Sequence, residues 1–108
     1  MTIGQKKLGV LLSTPPSHPS VTTVSRLCSE ALAQDVDVYL YLVHEGVKNH
    51  NDPRLLDLAA RGVKSFVCAY GCQRHGVPTS SVDGAITLCG LVVLSNIISG
   101  CDRFLAFN

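Results

Sequence analysis

The sequence predicts an α/β fold, a three-layer sandwich with a mostly parallel five-stranded sheet of flavodoxin-like type. Apolar runs of strand length alternate with stretches of helical periodicity from one end of the chain to the other, and start and stop signals for helices fall between those runs. Strands separated by helices call for right-handed crossovers, which put helices on both faces of the sheet. Length agrees: 108 residues make one compact domain with an adequate core, so residues 1–108 are read as a single domain.

Each element has its own reason. KKLGVLLS (Lys6 to Ser13) is an apolar first strand. From Ser20 to Gln34, the residues Val21, Val24, Cys28, Ala31 and Leu32 recur at helical spacing, with Ser20 in the N-cap position. DVDVYLYLV (Asp35 to Val43) is β-branched and aromatic, a second strand. After the polar loop HEGVKNHN, the run DPRLLDLAARG opens on Asp52 and Pro53 and closes on Gly62, the signals of a short helix. VKSFVC (Val63 to Cys68) is a third strand and GAITLCG a short fourth, with Asp83 in the turn before it. Leu91 to Ser99 reads as a helix and DRFLAF (Asp102 to Phe107) as the last strand. The chain carries no internal repeat, linker or low-complexity segment.

Composition excludes several function classes. At 46% hydrophobic and 16% charged, with a net charge of +1, the chain has no electrostatic footprint for nucleic acid or an anionic membrane surface. LGVLL is shorter than the apolar core of a secretory signal and runs into prolines, while LVVLSNII is interrupted by Ser95 and Asn96 and is too short to cross a bilayer. These features lead us to expect a cytoplasmic protein. Five cysteines, an odd number, point to thiols kept reduced or used chemically rather than to a disulfide scaffold.

Chemistry concentrates in FVCAYGCQRHGV, Phe66 to Val77. In open parallel sheets reactive groups gather beyond the carboxyl ends of the strands, and Cys68 falls there, at the end of the third. If Ala69 to His75 begins a helical turn, its free N–H groups and the charges of Arg74 and His75 favour a thiolate at Cys68. Cys72, four positions on, faces Cys68 across one turn and is placed to resolve an oxidised or persulfidated Cys68 as a disulfide.

Other chemistries fit less of the pattern. Cys68, Cys72 and His75 could supply three zinc ligands, but at a spacing unlike the usual fingers and ribbons and with no CxxC pair in the chain. A thiol–disulfide redox module would use the same residues. STPPSHPSVTT after the first strand resembles a phosphate loop before a helix, yet lacks the glycine that lets FMN approach the backbone. A core cysteine that fills space is the bland alternative for Cys68; Cys28, Cys89 and Cys101 are read as packing residues. Arg26, Lys48 and Arg54 read as solvated charges, and Arg103 as a structural ion pair or subunit contact.

The segment holding Cys68, Arg74, His75 and Gly76 resembles the sulfur-relay proteins of the DsrE/TusD family, in which a strand-terminal cysteine precedes small residues, a basic pair and a glycine. YLVHEGVKNHN (Tyr41 to Asn51) is similar to that family's REGVYNAN loop. TLCGLVVLSNIISGCDRFLAF (Thr87 to Phe107) is similar to its TLSGLGAL segment and final strand. The resemblance implies a DsrE-like domain whose Cys68 accepts sulfane sulfur as a persulfide and passes it from a donor protein to an acceptor protein, with no metal or organic cofactor. It also raises the loop holding His44, Glu45 and Asn49 to a rim of the sulfur site, and His18, at the carboxyl end of the first strand, is placed to line the same cleft. The chain departs from the TusD pattern at Cys72, which stands in place of a small residue, at His75, in place of arginine, and in a shorter stretch between Asn51 and Val63.

Assembly is expected as well. Leu88, Leu91, Val92, Val93, Leu94, Ile97 and Ile98 leave the last helix apolar around most of its circumference, more than one sheet face can cover. Together with the family's habit of assembling, this predicts a homo-oligomer, a trimer or hexamer, unless residues 77–85 cover the surplus.

Overall fold

A computed structural model describes residues 6–108; positions 1–5 of the expected domain lie outside the described residues. Five strands form one sheet: β1 (Lys7–Leu12), β2 (Asp37–Leu42), β3 (Lys64–Cys68), β4 (Ile86–Cys89) and β5 (Arg103–Phe107). Every pairing is parallel, so the expected mostly parallel sheet is wholly so, in the order β4-β3-β2-β1-β5. Helices α1 (Ser20–Ala33), α2 (Pro53–Ala60), α3 (Ala69–Arg74) and α4 (Leu91–Gly100) fill the connections.

The order explains the layers. The chain steps in one direction from β1 through β4, so right-handed crossovers put α1 and α2 on one face, and the return to β5 beyond β1 puts α4 on the other. Under α1 and α2 lie Val10, Leu12, Val38, Leu40 and Val67, all buried with Val21, Val24, Leu55 and Leu58 from the helices. Full burial of one such side chain stabilises by about 1.5–3 kcal/mol relative to exposure, which makes this layer the main core. On the opposite face α4 leaves a shallow cavity of about 190 Å³ against Tyr39 and Phe66.

Two helix starts differ in kind. Asp52 caps α2 as its sequence predicts, its carboxylate accepting the Arg54 N–H at 2.9 Å. The Arg54 side chain also binds Asp52 and reaches Thr22 of α1 at 3.0 Å, so this residue ties two helices rather than standing free in solvent. Ser20, expected as the cap of α1, is instead its first helical residue, with Pro19 in the cap position. Proline's fixed φ, here −60°, suits helix entry and starts α1 one residue early. The Ser20 N–H then donates to His18 Nδ1 at 3.1 Å.

Two further segments are more regular, or more ordinary, than expected. HEGVKNHN, read as a loop, contains a 3-10 helix over His44–Asn49. Arg103 donates to the Asp102 carbonyl and forms no ion pair among the described residues, while the Asp102 carboxylate accepts the Lys7 N–H at 2.7 Å. That run therefore ties the start of β5 to β1. No helix among the described residues is long and apolar enough to cross a membrane.

Candidate functional site

All five strands end on the same side of the molecule, and three segments meet there: the 3-10 helix after β2, α3 after β3, and the start of α4. Backbone geometry brings them close. A Cβ on Gly46 would lie 1.9 Å from the Leu12 carbonyl oxygen, so only glycine lets the 3-10 helix rest on the end of β1. At the far end of α3, Gly76 adopts φ +70°, and the Val77 N–H reaches back to the Cys72 carbonyl at 2.9 Å. This glycine-closed C-terminus stops α3 after less than two turns and turns His75 back over the site.

The result is a cleft of about 360 Å³ lined by Val43, His44, Cys68, Tyr70, Gly71, Arg74, His75 and Leu91. Cys68 caps α3, its sulfur accepting the Gly71 N–H at 3.4 Å. The residue is only 1% exposed, so its sulfur lies on the cleft floor. An added sulfur atom, bonded at about 2 Å, would extend the reactive end into the cleft.

Around that floor the walls are apolar and basic. Tyr70 and Leu91 are 62% and 56% exposed. Arg74 is exposed and has no carboxylate partner among the described residues. His75 Nε2 and His44 Nδ1 share a hydrogen bond at 3.1 Å, with the rings edge to face. His44 sits at φ +55°, uncommon for a non-glycine residue, and this conformation turns its ring toward His75.

Of the residues expected at the site, Cys68, Arg74 and His75 share the cleft, and Cys72 is buried behind it in the core. The expected rim residues lie elsewhere. His18 is engaged at the start of α1. Glu45 pairs with Lys48 at 3.5 Å. Asn49 is buried and donates to the carbonyls of Thr14 and Gly46, at 2.9 and 3.0 Å, fastening the 3-10 helix to the chain leaving β1. His44, from the loop expected at the rim, is the residue of that loop that stands in the cleft wall.

Cys89, read as a packing residue, and Tyr41, read only as part of the second strand, also lie beside Cys68. Cys89 is the register partner of Cys68 across β3 and β4, and the buried Tyr41 hydroxyl, near both thiols, donates to the Gly90 carbonyl at 2.9 Å. Burial, and then the charge of neighbouring Cys89 and Cys68, pushes the Tyr41 phenol up. Burial likewise raises the thiols of Cys72 and Cys89, with Cys68 adding to each. No cluster of three or more His, Cys, Asp or Glu side chains among the described residues is arranged to hold a metal ion.

The sequence matches the family described as DsrE/DsrF-like over residues 6–107. No curated protein matches it significantly. Among solved structures, the ychN protein from E. coli is 20% identical, with a TM-score of 0.81 over 96% of this chain and 100% of that one. A conserved protein of unknown function from Bacteroides thetaiotaomicron is 17% identical, with a TM-score of 0.74 over 94% of this chain and 95% of its own. A protein of unknown function from Methanobacterium thermoautotrophicum is 12% identical, also with a TM-score of 0.74, over 94% of this chain and 99% of its own. At these identities the likeness is one of fold.

Proposed function

The chain belongs to the DsrE/DsrF-like family, and on that premise we propose that it is a sulfur carrier that takes sulfane sulfur onto Cys68 as a persulfide and hands it to an acceptor thiol. One observation carries the reading: Cys68 is the cysteine that lines the strand-end cleft, with the Gly71 N–H on its sulfur and an exposed Arg74 at the rim. The Cys68 thiolate attacks the outer sulfur of a donor persulfide, and the donor leaves as a thiolate. Transfer onward reverses the roles: an acceptor thiolate attacks the outer sulfur on Cys68, and Cys68 departs as the thiolate. Both steps exchange one S–S bond for another and need no external oxidant or reductant.

The walls suit this chemistry. Arg74 presents a positive charge to an incoming persulfide anion, and the exposed Tyr70 and Leu91 offer an apolar rim for a protein carrying the donor or acceptor sulfur. The same reading includes self-assembly as a trimer or hexamer. Val92 and Ile98 are 76% and 49% exposed on the outer side of α4, with Leu88 41% exposed nearby in sequence, and residues 77–85 leave them uncovered.

Intact mass after exposure to sodium polysulfide, with and without reductant, tests the carrier. Wild type is expected to gain one reductant-labile sulfur atom, mapped to Cys68. Cys68→Ser is expected to gain none, since a serine hydroxyl does not ionise near neutral pH, and Cys72→Ala is expected to load normally. Loading that persists in Cys68→Ser overturns the assignment.

A further inference from the structure

Cys89 ends the short strand β4, and nothing in its local sequence marks it as reactive. Its place in the sheet does. Parallel pairing sets Cys89 opposite Cys68, so their side chains emerge on the same face. Neighbouring strands lie about 4.7–4.9 Å apart, inside the Cα range of about 4.4–6.8 Å that a disulfide spans. The Tyr41 hydroxyl, held on the carbonyl of Gly90 next to Cys89, lies near the pair. Cys89 also donates to the Val67 carbonyl at 3.8 Å, on the strand that ends in Cys68.

We infer that Cys89 discharges a persulfide on Cys68 within the chain, releasing the outer sulfur as hydrogen sulfide and leaving a Cys68–Cys89 disulfide; this rests on the reading of Cys68 as the carrier. The Cys89 sulfur attacks Sγ of Cys68, the new Sγ–Sγ bond forms, and the bond from Cys68 Sγ to its outer sulfur breaks. The outer sulfur takes the electron pair and, with its own proton and the one lost by Cys89, leaves as hydrogen sulfide. That sulfur is reduced while the two cysteines are oxidised, so the step balances without an added oxidant. A dithiol, or two equivalents of a monothiol, then reduces the disulfide and restores both cysteines.

Geometry favours Cys89 over Cys72 in this role. Displacement at sulfur is in-line, so the attacking thiol must approach from the side away from the departing atom. The outer sulfur would occupy the cleft in front of Cys68, under Arg74 and His75 of the α3 segment. Neither Cys89 nor Cys72 lines that cleft, and what distinguishes Cys89 is its register with Cys68 on one face of the sheet, while Cys72 sits a helical turn along α3. Burial holds the Cys89 thiol protonated, which makes discharge slow relative to an exposed acceptor thiolate. Sulfur is thus passed on when an acceptor is docked and released as sulfide when none arrives.

The full-length protein, loaded with polysulfide, desalted and held under nitrogen, is followed for sulfide release and by non-reducing peptide mapping. A parallel arm oxidises the unloaded protein with diamide and maps the cross-link. Wild type is expected to release one equivalent of sulfide as a Cys68–Cys89 cross-link appears, with the same pair formed by diamide. Cys89→Ser is expected to keep its persulfide and release sulfide at least about tenfold more slowly, because a hydroxyl replaces the attacking thiol. Cys72→Ala is expected to behave as wild type. A Cys68–Cys72 cross-link, or wild-type release from Cys89→Ser, overturns the inference while leaving the carrier reading standing. Absence of loading on Cys68 overturns the carrier reading and with it the discharge step, and the diamide arm still decides whether Cys68 and Cys89 pair.

Discussion

Under α1 and α2 the sheet is closed, with Val10, Leu12, Val38, Leu40 and Val67 all buried, whereas under α4 Leu11, Tyr39 and Phe66 are only half-buried and the helix turns Val92 and Ile98 to solvent. The cysteines divide along the same line. Cys28 belongs to the closed face, in the stripe of α1, while Cys68, Cys89 and Cys101 belong to the α4 face or its end. Burial alone does not separate packing from chemistry, since Cys28 is 0% exposed and Cys68 1%. Neighbours separate them: Cys68 has an amide proton on its sulfur, a cleft in front and a second thiol beside it. One face supplies stability, and the other carries the proposed site and an uncovered surface.

The sharpest way to break this contrast is to truncate one face and charge the other. Leu40→Ala removes a fully buried side chain from the closed core and is expected to lower stability by about 2–5 kcal/mol. Val92→Glu, on the exposed flank of α4, is expected to change monomer stability by no more than about 0.5 kcal/mol. It should instead reduce the assembled mass. Chemical denaturation of both variants, with light scattering on the second, decides the matter. A Val92→Glu protein that unfolds like Leu40→Ala would show that α4 is covered from within the chain. A wild type that is monomeric at high micromolar concentration would remove the assembly and leave the chemistry of Cys68 untouched.

A smaller effect should appear at alkaline pH. Burial pushes the Cys28 thiol up from 9.0 to about 12. Between those values the folded chain keeps a proton that the unfolded chain has given up. The unfolded state binds fewer protons, so stability falls as pH rises through this window, by at most about 1.4 kcal/mol per pH unit. Lys64, raised by its hydrogen bond to Asp37, adds a slope of the same sign near and above 10.5. Unfolding of Cys28→Ala across the window is therefore expected to show a shallower alkaline limb than wild type, though not a flat one. An unchanged slope would mean that the closed face admits enough water to ionise this thiol.

How much of this was legible in the sequence depends on whether a feature is set by neighbours along the chain or across it. The strands, α2 with its Asp52 cap, and the place of Cys68 at a strand end all follow from local pattern, and the structure agrees on each. The pairing of Cys89 with Cys68 follows from the register between β3 and β4, which no local pattern encodes. His44 entered the cleft through a left-handed backbone angle that its sequence does not demand. Asn49 read as a polar loop residue, yet two backbone carbonyls drew its side chain inward and away from the rim. Polar side chains near a strand end can serve the backbone as readily as a site, and only the fold distinguishes the two uses.

The smallest expected effect concerns the charge at the rim of the open end. Arg74 is exposed, so its influence on Cys68 passes partly through water, where two unit charges about 4 Å apart interact by only about 1 kcal/mol. That is enough to change a rate severalfold and too little to abolish one. Arg74→Ala should therefore slow alkylation of Cys68 by negatively charged iodoacetate more than by neutral iodoacetamide, lowering the ratio of the two rates about two- to fivefold at low ionic strength. Raising salt to about 1 M, where the screening length shrinks to about 3 Å, should bring wild type and variant together. The paired electrophiles separate attraction of an anion from a change in access, because a merely structural role would slow both equally. If the ratio does not move, Arg74 serves to dock a protein partner rather than to draw an anionic sulfur donor onto Cys68.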